Sequence, residues 1–232
     1  MKKIALLQSN YIPWKGYFDL IASVDEFIIY DTAQYTKNDW RNRNKIKTQQ
    51  GVQWLSVPVQ IKGKDFPSIR EAKIADSIWA IKHWKNIKQA YSKTEYFSEI
   101  ADWLCPIYLS CAYTHISTLN IALISAICSY LNITTKINYS WKYHLSGDKN
   151  ERIIDLCQQL GATEYISGPA AKTYINYDLF TEANIKLTWF QYDGYPVYPQ
   201  LWGEFQHNVT VLDTLFNCGK GAPFYIWEWR NK

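Results

Sequence analysis

The chain has 232 residues, 47% of them hydrophobic and 20% charged, with a formal net charge of +4. That balance excludes an intrinsically disordered chain and supplies enough apolar mass for a core without disulfide or metal staples. No run of 18 apolar residues occurs, and the apolar start Ile4 to Leu7 is cut short by Gln8, Ser9 and Asn10, so neither a transmembrane helix nor a signal peptide is expected.

In chain order, Ile4–Leu7 reads as a short buried strand, and Ser9 to Gly16 as a loop through its Pro13 and Gly16. Tyr17 to Val24 has helical spacing and Phe27 to Tyr30 is a second apolar run, so the first 30 residues predict a βαβ unit and hence a parallel sheet. Thr32 to Gly51 is a polar, basic segment containing Trp40. Gln53 to Ile61 reads as a strand that Pro58 interrupts or confines to an edge, Lys62 to Ser68 as a loop, and Glu71 to Ala75 as a short strand. Ser77–Tyr91, Glu95–Ser110 and Thr114–Leu131 are helix-compatible, with Pro106 kinking or interrupting the second. Ile133–Tyr139 predicts a strand. Asp148 to Glu151 resembles a capping box that opens a helix stopping at Gly161. Glu164–Ile166 and Ile185–Tyr192 predict strands, with a Ser167-Gly168-Pro169 turn after the first and a final helix over Val209–Phe216.

The predicted fold is α/β: a Rossmann-like, mainly parallel sheet flanked by helices, with a helical central region. The chain is expected to form one domain over 1–232, with residues 77–131 as a helical insertion or cap. Five cysteines (Cys105, Cys111, Cys128, Cys157, Cys218) are odd in number and form no CxxC pair, which fits reduced thiols and a cytoplasmic location. Aromatic residues make up 16%, including 11 Trp and 18 Tyr, so some should line a site or an interface.

No Walker loop, GxGxxG, HExxH or GxSxG is present, so no motif assigns a nucleotide cofactor. His83, His115, His144 and His207 have no ligand spacing, and no metal site is expected. The charge is unevenly placed. Lys37, Arg41, Arg43, Lys45 and Lys47 face only Asp39, an excess equal to that of the whole chain. Such a cluster suits phosphate or a polyanion, or is simply a solvated basic loop.

Four segments could build a site. The first, Gln8 to Tyr17, leaves the carboxyl end of the first strand, where open α/β sheets bind ligands. Gln8, Asn10, Tyr11 and Lys15 offer polar groups there, although Pro13 and Gly16 alone would explain a tight turn. The second, Asp31 to Lys45, should face the same crevice. If extended, it points Arg41 and Arg43 the same way as a phosphate fork, with Asp31 as an orienting group or base. The third, Tyr165 to Pro169, presents Ser167 and Gly168 to a ligand or merely makes a turn. The fourth, Tyr198 to Asn208, offers Tyr198, Gln200 and an acid/base pair of Glu204 and His207, or plugs the sheet end with aromatics.

These segments carry a resemblance. Gln8-Ser9-Asn10-Tyr11-Ile12-Pro13-Trp14-Lys15-Gly16-Tyr17-Phe18-Asp19-Leu20-Ile21 resembles the opening of the WbqC-like family. So do Tyr30-Asp31 with Gln34-Tyr35, Trp40 to Lys47, Tyr165 to Pro169, Tyr198-Pro199-Gln200, Gly203-Glu204-Phe205 and Leu215 to Gly219. The family's usual Ser-Gly-Pro-Ser/Ala-Gly is Ser167-Gly168-Pro169-Ala170-Ala171 here, so position 170 carries no hydroxyl.

Family members occur among genes for O-antigen and other surface polysaccharides, with a suggested glycine or aminoacyl transferase role. The resemblance therefore implies a transferase acting on a sugar nucleotide or lipid-linked sugar and supplied with a separate aminoacyl donor. Asp31, Glu204 and His207 are the catalytic candidates. Gln8, Asn10, Tyr11, Lys15, Gln34, Tyr35, Trp40, Arg41, Arg43, Lys45, Ser167, Gly168, Tyr198 and Gln200 are the substrate- and phosphate-binding candidates. Aromatics interleaved with basic residues also allow a nucleotide- or nucleic-acid-binding protein, even a base-modifying amino-acid transferase. A third possibility is a non-catalytic partner in a polysaccharide assembly complex.

Overall fold

The structure, a computed structural model, describes residues 1–60, 67–110 and 112–231. The strand β1 (Lys3–Leu7), helix α1 (Lys15–Ala22) and strand β2 (Glu26–Ile29) form the expected βαβ unit, with the strands paired in parallel. Next come an antiparallel hairpin of β3 (Arg43–Thr48) and β4 (Gly51–Ser56), and the helices α2 (Ile78–Tyr91), α3 (Phe97–Leu109) and α4 (Ile116–Tyr130). The chain continues through β5 (Lys136–Tyr139), α5 (Lys149–Gln159), β6 (Glu164–Ser167), α6 (Tyr177–Glu182) and β7 (Lys186–Trp189), and closes with α7 (Val211–Cys218) and α8 (Ala222–Ile226).

The main sheet has the order β5-β2-β1-β6-β7, and every neighbouring pair is parallel. The chain winds outward from β1 through β2 to β5, then returns to the other side of β1 for β6 and β7. Its direction of travel reverses between β1 and β6, the kind of switch point at which doubly wound sheets open a crevice.

Side chains alternate across the sheet. Ile4 joins Ile153, Cys157, Tyr165 and Phe180 on one face, whereas Ala5 joins Phe18, Phe27 and the buried side chains of α2 to α4 on the other. Both faces are therefore covered, as an all-parallel sheet requires. The helix α5 starts as its sequence implies. The Asp148 carboxylate accepts from Asn150 N–H at 2.7 Å and Glu151 N–H at 2.9 Å, while the Glu151 carboxylate accepts from Asp148 N–H at 2.7 Å.

Several expectations need correction. The polar, basic segment Thr32–Gly51, for which no strand is expected, holds β3, in which buried Asn44 and Ile46 alternate with half-exposed Arg43 and Lys45. Its cations and amides masked that period of two. The strand expected over Gln53–Ile61 ends at Ser56, just before Pro58, which has no N–H for the ladder. Ile61 and most of the Lys62–Ser68 loop lie outside the described residues, as does Cys111. Glu71–Ala75 makes only single bridges, Ile74 with Val59 and Lys73 with His115. Of the kink or interruption expected at Pro106, the interruption does not occur: α3 continues to Leu109. The short helices α6 and α8 were not expected.

Candidate functional site

The loop after β1 is tied to two segments remote in sequence. Tyr11 N–H donates to the Trp40 carbonyl at 2.9 Å, and Val211 N–H donates to the Pro13 carbonyl at 2.8 Å. Thr210 N–H closes the third side on the Lys45 carbonyl at 2.8 Å. The three segments enclose a cavity of about 410 Å³ lined by Asn10, Pro13, Trp14, Trp40, Asn44, Lys45 and Asn208. Two indoles form apolar walls, and three amides and an ammonium supply a few convergent polar groups, the usual composition of a small-molecule site.

The aromatic wall continues outward along the hairpin. Trp40 and Trp54 are 43% and 42% exposed, with ring centres 5.6 Å apart. In the β3–β4 register Lys45 lies opposite Trp54. Its ammonium is 4.8 Å from the Trp54 ring centre and the Arg43 guanidinium is 4.4 Å from it, both within cation–π range.

The turn before Pro13 stores backbone strain. Ile12 has φ +37°, a left-handed conformation that is costly for a β-branched residue, about 1–3 kcal/mol. Asn44 on β3 holds it there: its amide donates to the Ile12 carbonyl at 2.8 Å and to the Tyr11 carbonyl at 3.3 Å.

Behind the cavity lies a polar cluster. Lys15, the first residue of α1, is only 3% exposed. Its ammonium donates to the Pro196 carbonyl at 3.3 Å and lies 5.0, 5.3 and 5.8 Å from the ring centres of Tyr195, Tyr198 and Phe205. Burial lowers its pKa to about 8, against the pull of Cys218, Asp213 and Asp19. Burial and the nearby Lys15 charge also lower that of His207. On α7, buried Asp213 accepts from Gln200 Nε2 at 2.6 Å, Tyr198 Oη at 2.7 Å and Tyr91 Oη at 3.0 Å. Burial raises its pKa while these donors and Lys47 hold it down. Lys47 Nζ adds hydrogen bonds to Gln200 Oε1 at 2.8 Å and to the Glu204 carbonyl at 2.5 Å, fastening the 198–204 loop to the hairpin.

Of the residues singled out from sequence, Asn10, Trp40 and Lys45 line this cavity. Others are placed differently. The Asp31 carboxylate is fully buried, accepting from Ser9 N–H, Ser9 Oγ and Ser117 Oγ, which leaves it enclosed rather than open to substrate as a base. Burial raises its pKa, opposed by those hydrogen bonds and by Arg41. The Tyr11 side chain is also enclosed, its hydroxyl meeting His83 Nδ1 at 2.8 Å and Tyr108 Oη at 2.7 Å. Tyr35 is buried beside exposed Gln34, and Tyr198 and Gln200 belong to the Asp213 cluster.

Arg41 and Arg43 form no fork. Arg41 lies in the turn before β3, donating to the Asn10 side chain and pairing with Asp39 at 3.3 Å, whereas Arg43 covers Trp54. Glu204 and His207 are both exposed and share no hydrogen bond, and the His207 ring packs on Phe205 with centres 4.7 Å apart. Ser167 is buried at the end of β6, and Gly168 follows it. Gln8 opens onto a different cavity, with Tyr30, Lys149 and Tyr174.

Trp14, Asn44, Asn208 and Trp54 were not assigned from sequence. Trp14, Asn44 and Asn208 lie within the segments singled out, and only their convergence in space distinguishes them from neighbouring amides and aromatics. Among the described residues, no three His, Cys, Asp or Glu side chains come together as metal ligands, and no helix is long and apolar enough to cross a membrane.

The family model described as the WbqC-like protein family matches residues 8–224, and the chain belongs to that family. A protein of Mycobacterium tuberculosis named "Uncharacterized protein Rv1507c" is 57% identical over 226 residues, spanning 97% of this chain and 98% of its own length. No solved structure matches the chain.

Proposed function

On the premise of that membership, we propose that the protein is a transferase of surface polysaccharide (O-antigen or lipopolysaccharide) biosynthesis that attaches glycine or another aminoacyl group to a sugar nucleotide or lipid-linked sugar. The observation that carries this reading is the cavity between Trp14 and Trp40. Indole faces suit the C–H faces of a sugar ring, the amides of Asn10 and Asn208 suit its hydroxyls, and Lys45 at the rim suits a phosphate. In the reaction, an amine or hydroxyl of the sugar attacks the donor's acyl carbon. A C–N or C–O bond forms, the acyl bond to the donor's leaving group breaks, and the nucleophile's proton passes to a base. We assign that base to His207, which directly precedes the cavity-lining Asn208 in the chain. A cytoplasmic location, where nucleotide sugars are available, accompanies this assignment.

A thermal-shift series with UDP- and dTDP-sugars tests it. A ligand at 100 times its dissociation constant should stabilise the fold by about 2.7 kcal/mol. The shift should disappear in Trp40→Ala and Lys45→Ala, and the bound sugar should gain one glycyl residue in mass when an activated glycyl donor is added. No shift with any sugar nucleotide, together with no change in mass, would overturn the assignment.

The exposed Trp40–Trp54 pair with Arg43 and Lys45 favours a second reading, a nucleotide- or nucleic-acid-binding surface on which bases stack and phosphates pair. Salt-sensitive binding of short single-stranded DNA, lost in Trp54→Ala, would select it.

A further inference from the structure

A second cavity of about 280 Å³ lies at the carboxyl edge of β1 and β2, where the N-terminus of α5 meets the sheet. Leu7 and Ile153 form part of its apolar lining, and Gln8, Tyr30, Lys149 and Tyr174 supply its polar and aromatic groups. It adjoins the reversal of strand order at β1, the position that topology makes a crevice in doubly wound sheets.

Its polar groups are uncommitted. Among the described residues the Gln8 side-chain amide has no hydrogen bond and the Lys149 ammonium has no ion pair; the ammonium lies 5.2 Å from the Tyr174 ring centre. The wall that carries Tyr174 is pinned in place. Asn150 Nδ2 donates to the Tyr174 carbonyl at 3.2 Å, and Asn176 N–H donates to Asn150 Oδ1 at 2.9 Å. The helix N-terminus itself is occupied by the Asp148 cap, so the charge available to an anion is that of Lys149.

Gln8 lines this cavity and Asn10 lines the Trp14–Trp40 cavity. Two residues of extended chain span at most about 7 Å. Buried Ser9, clamped to Asp31, lies between them in the chain.

We propose that the second cavity is a ligand site for a nucleoside phosphate, with the base against Tyr30 and Tyr174, Gln8 hydrogen-bonding to it, and the phosphate on Lys149. In the transfer reaction inferred above, on which this role rests, the cavity holds the activated donor. Acyl adenylates and coenzyme A thioesters share an adenosine phosphate of this kind. The acceptor and donor sites then flank one loop.

Titration calorimetry with AMP and with coenzyme A, each with and without UDP-N-acetylglucosamine, tests the site. AMP should bind the wild-type protein and still bind in the presence of the sugar nucleotide. Lys149→Ala and Gln8→Ala should each weaken AMP at least tenfold, Lys149→Arg should largely restore it, and Trp40→Ala should leave it unchanged. Competition between coenzyme A and AMP would support the site and identify a thioester donor; AMP binding alone would support it and point to an adenylate. Absence of binding by both probes, or AMP affinity lost in Trp40→Ala and unaffected in Lys149→Ala, would overturn it. The sugar-nucleotide titration reports on the acceptor site separately. Its failure with AMP binding intact would remove the transferase assignment and leave the nucleotide site standing.

Discussion

The Asp31 carboxylate grips Ser9 twice, accepting from its backbone N–H at 2.8 Å and from its hydroxyl at 2.7 Å. Asp31 follows β2 and Ser9 follows β1, so this contact locks together the two segments that leave the carboxyl edge of the sheet. Ser117 at the start of α4 adds a third donor, and Asn120 Nδ2 reaches both Ser9 Oγ at 3.2 Å and the Arg41 carbonyl at 2.9 Å. The central helices are thereby joined to the same point.

Asp31 is therefore expected to act through Ser9. Hydrogen bonds to a charged group contribute about 1.5–3 kcal/mol each. Asp31→Asn should lower unfolding free energy by about 2–4 kcal/mol in urea titration, since one oxygen becomes an NH₂ facing two hydroxyls. The pH profile of any remaining activity should keep its shape. A normal urea midpoint combined with a lost acidic limb in the profile would instead make Asp31 a base.

Asn44→Ala should cost about 1–3 kcal/mol, because it leaves the Tyr11 and Ile12 carbonyls short of a donor and releases the strained Ile12 turn. Sugar-nucleotide affinity should fall with it, since Asn44 and the adjoining Pro13 line the cavity. Unchanged affinity in a folded Asn44→Ala protein would separate the strain from the site.

His83 is buried on α2 against Tyr11, and burial lowers its pKa from 6.5 to about 4. The unfolded chain takes up a proton below about pH 6.5, and the folded protein resists until about pH 4. Stability is thus intact above pH 6.5 and falls as the pH drops toward 4, by up to about 3 kcal/mol. Urea midpoints across that window should show the fall in wild type and a shallower one in His83→Gln. Equal slopes would remove His83 as the cause.

Lys15 has the same sign at higher pH. Its folded pKa of about 8 lies below the unfolded value of 10.5, so between them the unfolded chain binds more protons and stability from this group rises with pH. Wild type should gain stability relative to Lys15→Met from pH 8 to 10.5. A difference that does not vary with pH would mean that the aromatic cage of Tyr195, Tyr198 and Phe205 fully offsets the burial of the charge.

The sheet core was legible because its signals are local. Ile4–Leu7 and Phe27–Tyr30 are apolar runs bounded by polar residues, and the Asp148 box and Gly161 mark the ends of α5 within a few positions. The hairpin strand β3 was not legible, because Arg43-Asn44-Lys45 hides buried Asn44 among residues that normally face water.

For the site, the sequence by itself determined the segments, the family membership and the crowding of amides, aromatics and cations at the ends of β1 and β2. Only the tertiary structure decided which of those side chains face a cavity. Asn10 and Tyr11 are neighbours in sequence, yet Asn10 lines the indole cavity and Tyr11 is sealed against His83 and Tyr108. Arg41 and Arg43 are two positions apart, yet one pairs with Asp39 and the other covers Trp54. A polar side chain in a loop takes its direction from hydrogen-bond partners supplied by distant segments, here Trp40, Lys45 and Val211, and no local pattern records those partners.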